Sequence, residues 1–405
     1  MIYQTENWKV SPWNDYTAVK RTLNCPEKVL LHDTTLRDGE QAAGVQFSYE
    51  NKVAIGRSLI EAGVDRIEVC MPAVSEDDRR ALTELAKHKT DVSKIYAFSR
   101  ANPKDVQMAV DCGADGVCIE IPASNAVYPS YGWTEDEAAL RAAQALTYAK
   151  EHGLETTLFL MDGTRGELHE LTRLIAKVAA QADFDSVALV DTLGVLTPEA
   201  VRHGVAAVRD AAGGRSVEIH CHNDFGLAVA NTMAAITCGA QVAHTTVLGM
   251  GDRAGGAPLE EIAIALPALY GIQTNLDTTK LKNLAAQVAR ASGVVLPNNK
   301  AVVGPNLFTT ESGIPVMIQR RNKMMGNSEV EVWPFIPQYV GFKNSKIALG
   351  KFSGAYSVRA YLEDMGIPME DDKVKILTQN VKDLSIEKGA LLTLDDFKDL
   401  IAAVR

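Results

Sequence analysis

The chain carries one pair of histidines at a spacing that suits metal chemistry. His220 and His222 lie two residues apart in the run SVEIHCH (216–222). On a β-strand, side chains two apart point to the same face. Two neutral imidazoles aimed at one point can share a divalent cation; the competing reading is a hydrogen-bonded histidine pair. A carboxylate from another element would complete a two-histidine, one-carboxylate set, which leaves coordination positions open for substrate. The segment DTTLRDGEQ (33–41) supplies such acids.

The elements around these residues must bring them together. From about residue 29, short β-type runs alternate with helical stretches: VLLHD (29–33), RIEVCM (66–71), KIYAFS (94–99), GVCIEI (116–121), ETTLFL (155–160), SVALVD (186–191), SVEIHCH (216–222) and QVAHTTVL (241–248). Segments such as NKVAIGRSLIEAG (51–63) place apolar residues at three- and four-residue spacing and end in Gly, a helix-stop signal. Eight β runs with helices between them predict a closed TM-free α/β architecture, the TIM (β/α)8 barrel. An open doubly wound sheet is the rival, and no GxGxxG follows the first strand to support it. In a barrel the first and seventh strands lie close around the ring, and catalytic groups sit at the C-terminal strand ends. The expected organisation is an N-terminal arm at 1–28, the barrel at 29–275, and a smaller, mostly helical C-terminal region at 276–405. Within it, 294–350 shows few clear elements.

The net charge of −10 and the lack of a dense Lys/Arg cluster exclude a nucleic-acid surface. A few arginines and a metal can still focus positive potential on an anionic substrate. No run is apolar enough for a membrane span or a signal peptide, and the six cysteines form no CxxC pair. A cytoplasmic protein with reduced thiols is expected.

Taken together, DTTLRDGEQ (33–41), HCHND (220–224) and GMGDRAGGAPLEE (249–261) resemble the DRE-TIM metallolyases, and within them the isopropylmalate synthase/homocitrate synthase group. VVGPNLFTTESGI and VGFKNSKIALGKFSG extend the resemblance into the C-terminal region. The resemblance implies that Asp38, His220 and His222 ligate a divalent ion (Zn, Mn, Co or Mg), with Arg37 stabilising the oxygen that becomes negative. It implies that Thr192 binds the substrate carboxylate, that Arg165 can grip one too, and that Gln41 and Thr164 belong to the substrate environment. Partners would be a 2-oxo or hydroxy acid and an acyl-CoA, in a homodimer. Asp33 would orient Arg37 or cap a turn, and Asp252 would pair with Arg253.

The chain departs from that pattern in four places. Gly256 stands where synthases carry Asn, which points to a three-ligand site. Met161 stands where an acid is expected. Pro315 and Phe352 replace two histidines, one of them associated with acid–base work. Glu311, Tyr339 and Tyr356 are the candidate replacements, with Glu311 and Tyr356 preferred. Other residues read as follows. By strand alternation His244 faces the surrounding helices as a packed histidine, and Cys221 is core. Glu68, Glu120 and Asp191 contact substrate or move protons if they face inward, and otherwise pair with cations. The expected reaction is a Claisen-type condensation of acetyl-CoA with a 2-oxo acid, giving a malate or citrate homologue. The alternative is carbon–carbon cleavage by a lyase on the same scaffold.

Overall fold

The structure, a computed structural model, describes residues 3–404. The eight expected runs form eight parallel strands: β1 (Leu30–Asp33), β2 (Arg66–Cys70), β3 (Lys94–Arg100), β4 (Gly116–Pro122), β5 (Glu155–Met161), β6 (Ser186–Asp191), β7 (Ser216–Cys221) and β8 (Val242–Thr245). They close in sequence order, and β8 pairs with β1 through Leu30–Val242 to Asp33–Thr245. This is the TIM barrel read from the sequence. The short first helix α1 (Thr17–Lys20) precedes it. The helices that follow are α2 (Tyr49–Glu61), α3 (Glu76–Ala86), α4 (Pro103–Asp111), α5 (Tyr128–Tyr131), α6 (Glu135–Glu151), α7 (Leu168–Ala179), α8 (Pro198–Ala211), α9 (Ala228–Ile236), α10 (Leu259–Ala265) and α11 (Leu281–Ser292).

Local chemistry starts these helices where the strands end. Ser48, Ser75, Asn102 and Thr197 each accept a hydrogen bond from a first-turn N–H, and Thr134 with Glu137 forms a reciprocal capping box. Strands such as β2 and β6 are buried on both faces, as a parallel sheet covered by helices requires. The barrel interior is mixed. Tyr96, Phe98, Cys118, Phe159, Ala188 and Val190 pack there, with Met71 against them. Below and beside them His32, Arg66, Glu68, Glu218 and His244 are buried in one polar network.

The chain divides into two compact units. The barrel unit spans Pro12–Leu296 with Ala301–Val303, so α11 belongs to it and it runs past residue 275. The second unit takes residues 3–11, Pro297–Lys300 and residues 304–404, which divides the described part of the 1–28 arm between the two. In the second unit Trp8 bridges to Phe335 and its ring lies 5.4 Å from that of Tyr339. Its helices are α12 (Gly313–Met324), α13 (Ala355–Asp364), α14 (Asp371–Lys388) and α15 (Leu394–Val404). Leu349, Val358, Leu377, Val381 and Phe397 form its apolar core. Helix α12 lies inside the stretch where few elements were expected. Pro315 falls in its first turn, where a missing N–H breaks no helical bond. Among the described residues no helix is long and apolar enough to cross a membrane.

Candidate metal centre and active site

Strand β7 delivers His220 and, just beyond its end, His222 to the C-terminal mouth of the barrel. The loop after β1 delivers Asp38 beside them. One ligand atom from each of the three lies within 4.8 Å of the other two. The two Nε2 atoms are 3.3 Å apart. Two nitrogens bound at about 2.1 Å to one tetrahedral or octahedral ion would be separated by roughly 3.0–3.4 Å. His222 Nδ1 donates to the Gly255 carbonyl at 3.2 Å, which leaves its Nε2 lone pair facing His220. Asp38 Oδ2 is buried and has no hydrogen-bond partner. Burial first, then His222, His244 and Arg37, hold the His220 imidazole well below its ordinary pKa, in the neutral form that binds a cation. The donor set and the spare acceptor both fit a divalent ion. A Cβ at Gly256 would meet only ordinary contacts, so packing does not demand glycine there; with glycine in place, that position offers no fourth side-chain ligand.

Arg37 sits against this cluster. Its Nε donates to Glu68 Oε1 at 2.5 Å, and one terminal nitrogen donates to Asp38 Oδ1 at 3.1 Å and Gln41 Oε1 at 3.3 Å. Its other terminal nitrogen, Nη2, is buried without a partner. The guanidinium carbon lies 4.1 Å from the Phe98 ring centroid, a cation–π contact. Burial opposes the charge, but Glu68 and then Asp38 outweigh it and keep the group protonated. Glu68 faces inward and its carboxyl is held below the usual range; burial raises it, and Arg37, then His32, prevail. A fixed cation with one free donor beside a candidate metal cluster is suited to a developing oxyanion.

The loops after β5 and β6 hold the other expected residues. Thr192 Oγ1 accepts the Asp162 N–H at 2.8 Å, and Thr164 Oγ1 donates to Asp191 Oδ1 at 2.9 Å. Arg165 forms a two-pronged pair with buried Asp162, at 2.6 and 2.9 Å. Glu311 and Tyr356 belong to the second unit. There Glu311 accepts the Phe352 N–H at 2.9 Å, and the Tyr356 hydroxyl accepts from Arg321 at 3.3 Å.

The readings of His244 and of the Asp252–Arg253 pair are corrected, and the alternatives left open for Asp33, Asp191 and Cys221 are resolved. His244 faces the barrel interior, not the helices: it stacks on His32 at 4.3 Å and bonds to Glu218 at 2.6 Å. Strand β8 ends at Thr245, and its register with β1 sets His244 beside His32. Asp33 does not orient Arg37; it accepts the Thr35 N–H at 3.0 Å and so caps the turn. Arg253 pairs with Asp224 rather than Asp252, and also donates to the Thr192 carbonyl. Asp191 is spent on backbone N–H groups of Val195 and Leu196 besides Thr164. Cys221 is buried, and burial pushes its thiol far up, as befits a core residue.

Sequence reading missed the role of the loop after β8. Gly255 has φ +76°, and a Cβ there would strike the Gly249 carbonyl. That glycine turn presents the carbonyl that fixes His222, and the glycine density of GMGDRAGG is the signal that could have revealed it.

Residues 28–288 match the HMGL-like family, and residues 302–389 match the homocitrate synthase post-HMGL domain-like family. The chain belongs to the HMGL-like family. It is 38% identical to the probable 2-isopropylmalate synthase of Ignicoccus hospitalis over 94% of this chain and 93% of that protein. It is 40% identical to the homocitrate synthase AksA of Methanopyrus kandleri over 90% of this chain and 89% of that protein. Among solved structures, the HMG-CoA lyase of Brucella melitensis shares the fold, with a TM-score of 0.60 at 22% identity. That match covers 66% of this chain and 100% of the lyase. The resemblance read from the DTTLRDGEQ, HCHND and GMGDRAGG segments thus holds along the HMGL-like chain.

Proposed function

We propose that this HMGL-like protein is an acyltransferase that condenses acetyl-CoA, or a similar acyl-CoA, with a 2-oxo acid. The product would be a malate or citrate homologue, released with free CoA. One observation carries the choice of condensation over cleavage. The lyase structure is matched in full by 66% of this chain, whereas synthase relatives align over 90% or more of it. The second matched segment, 302–389, bears the description of a homocitrate synthase domain.

A divalent ion held by Asp38, His220 and His222 would supply Lewis-acid polarisation of the 2-oxo acid. Zn, Mn, Co and Mg all suit two imidazoles and a carboxylate. The chain's own groups do the rest. Arg37 offers its free Nη2 to the ketone oxygen as that oxygen gains charge. Thr192 uses its hydroxyl hydrogen on the substrate carboxylate while its oxygen holds the Asp162 N–H. Arg165, Thr164 and Gln41 shape the same end. A base takes the α-proton of the thioester, the carbanion carbon bonds to the ketone carbon as the carbonyl π pair moves to oxygen, that oxygen takes up a proton, and water then cleaves the thioester to give the acid and the thiol. Glu311 and Tyr356 are the groups we assign to proton transfer, in an active site completed in a homodimer.

Thiol release from acetyl-CoA with a panel of 2-oxo acids, with and without added divalent metal, tests this reading. Metal-dependent release with at least one acid is expected. Cleavage of a hydroxyacyl-CoA or hydroxy-oxo acid, without thiol release from acetyl-CoA, would establish the lyase instead.

A further inference from the structure

The barrel unit has a cavity of about 590 Å³ at the C-terminal ends of β3 and β4, with Met71, Arg100, Lys104, Glu120, Trp133 and Arg141 in its lining. Glu120 is its unusual member. On β4 it shares a face with Cys118, which packs in the barrel interior with Phe98 and Phe159. The register sets Glu120 between Arg100 on β3 and Phe159 on β5. Met71 lines the cavity and also packs on that interior cluster, whose Phe98 ring carries the Arg37 guanidinium. Met71 thus links the cavity to the aromatic support of the oxyanion-binding cation. Met161, on the next strand, pairs with Pro122, two residues above Glu120. The acid expected at 161 is absent, and an inward carboxylate stands one strand away.

No side chain neutralises it. Glu120 has no hydrogen bond or ion pair among the described residues. Burial pushes its carboxyl above the ordinary range, with Arg37 pulling the other way. The cations of the cavity are otherwise engaged or peripheral: Arg100 holds Asp105 through two contacts of 2.6 and 3.2 Å, and Arg141 lies 4.6 Å over the Trp133 ring.

We propose that Glu120 is a specificity-determining residue, and that this cavity receives the side chain of a 2-oxo acid ending in a neutral hydrogen-bond donor, such as a hydroxyl. The proposal rests on the 2-oxo-acid reading above. Each rival terminus meets a physical objection. An aliphatic end would desolvate the carboxylate without replacing its water. A second carboxylate would face a like charge. An ammonium would have to shed its hydration to pair with one half-buried carboxylate, in a lining that also holds Lys104 and Arg141. A neutral donor satisfies Glu120 and offends none of the cations.

The test uses the full chain loaded with metal and 2-oxo acids of equal length ending in methyl, hydroxyl, carboxylate or ammonium groups. Thiol release gives kcat/KM, and calorimetry without acetyl-CoA gives Kd. The hydroxyl-ended acid should lead the methyl-ended one by on the order of 10-fold or more in the native protein, and Glu120→Leu should reverse that order. Glu120→Gln, nearly isosteric, should raise the carboxylate-ended acid by about 10-fold relative to the native protein. A native preference for any other terminus, or an unchanged ranking in the variants, overturns the proposal. Correct Kd ranking without thiol release would sink the acyltransferase reading and leave the role of Glu120 standing. Binding of no 2-oxo acid sinks both.

Discussion

The barrel interior holds two clusters built from the same residue types, and they have opposite characters. At the mouth, Asp38, His220 and His222 bring three ligand atoms together; deeper in, His32, Glu218 and His244 do the same. In the deeper cluster Glu218 is saturated. It accepts from Arg66 and Ser186 at 2.6 Å and from Thr157 at 3.1 Å, and meets His244 at 2.6 Å. Its carboxyl lies well below the usual range, because Arg66 first, then His244, overcome the cost of burial. At the mouth, Asp38 Oδ2 and Arg37 Nη2 are buried and unmatched. Residue type does not separate a ligand set from a structural network. What separates them is the carboxylate: the chain itself satisfies Glu218, whereas Asp38 Oδ2 is left without a partner, although imidazole nitrogens of His32 and His244 lack partners as well.

That contrast can be broken by experiment. The largest effect should come from Asp38→Ala. Bound metal, measured by atomic emission, should fall to a small fraction of one per chain, with activity down about 10³-fold or more. Metal retained at full occupancy would end the distinction between the clusters. Arg37→Gln should keep the metal and lower kcat by about 10²–10³-fold, so a matching loss of metal would assign Arg37 to ligand support instead.

At the deeper cluster the readout changes from activity to stability. Glu218→Leu strips the partner from buried Arg66 and should cost about 3–5 kcal/mol in denaturant unfolding, while the folded fraction keeps its metal. Metal loss from that folded fraction would mean the deeper group also serves the ion. The smallest effect is a pH difference. Burial, and then His244, lower the His32 pKa to about 4. Below about pH 6.5 the unfolded chain protonates this residue and the folded chain does not, so stability falls with falling pH until about pH 4. Relative to His32→Gln, the native protein should lose up to about 3 kcal/mol across that window. Asp33, raised to about 7 by burial, pulls the other way, so only the difference between the two proteins isolates His32. Parallel stability curves would refute the assignment.

Much of this was legible from residues alone, for identifiable reasons. Strand position followed from short Val/Ile-rich runs bounded by Gly, and the candidate histidine pair from an alternation that puts His220 and His222 on one face, while Asp38 as their partner came from the family resemblance. Helix α12 was missed because its first residues, Gly-Ile-Pro, look like a break, although a first-turn proline is harmless. His244 was assigned the wrong face because a four-residue strand leaves its phase undetermined until its register with β1 is known. Arg253 was paired with its sequence neighbour, but its φ of +55° turns the side chain to Asp224.

The sequence by itself determined the barrel, the order of its strands and the identity of the residues at its mouth, because periodicity and motif spacing are local properties of the chain. Only the tertiary structure decided which buried acids are spent and which are free. Glu218, Asp191 and Asp162 find partners from distant strands and loops, whereas Asp38 Oδ2 finds none, nor does half-buried Glu120. Satisfaction of a polar group depends on neighbours that only closure of the barrel brings within reach, and no spacing along the chain encodes it.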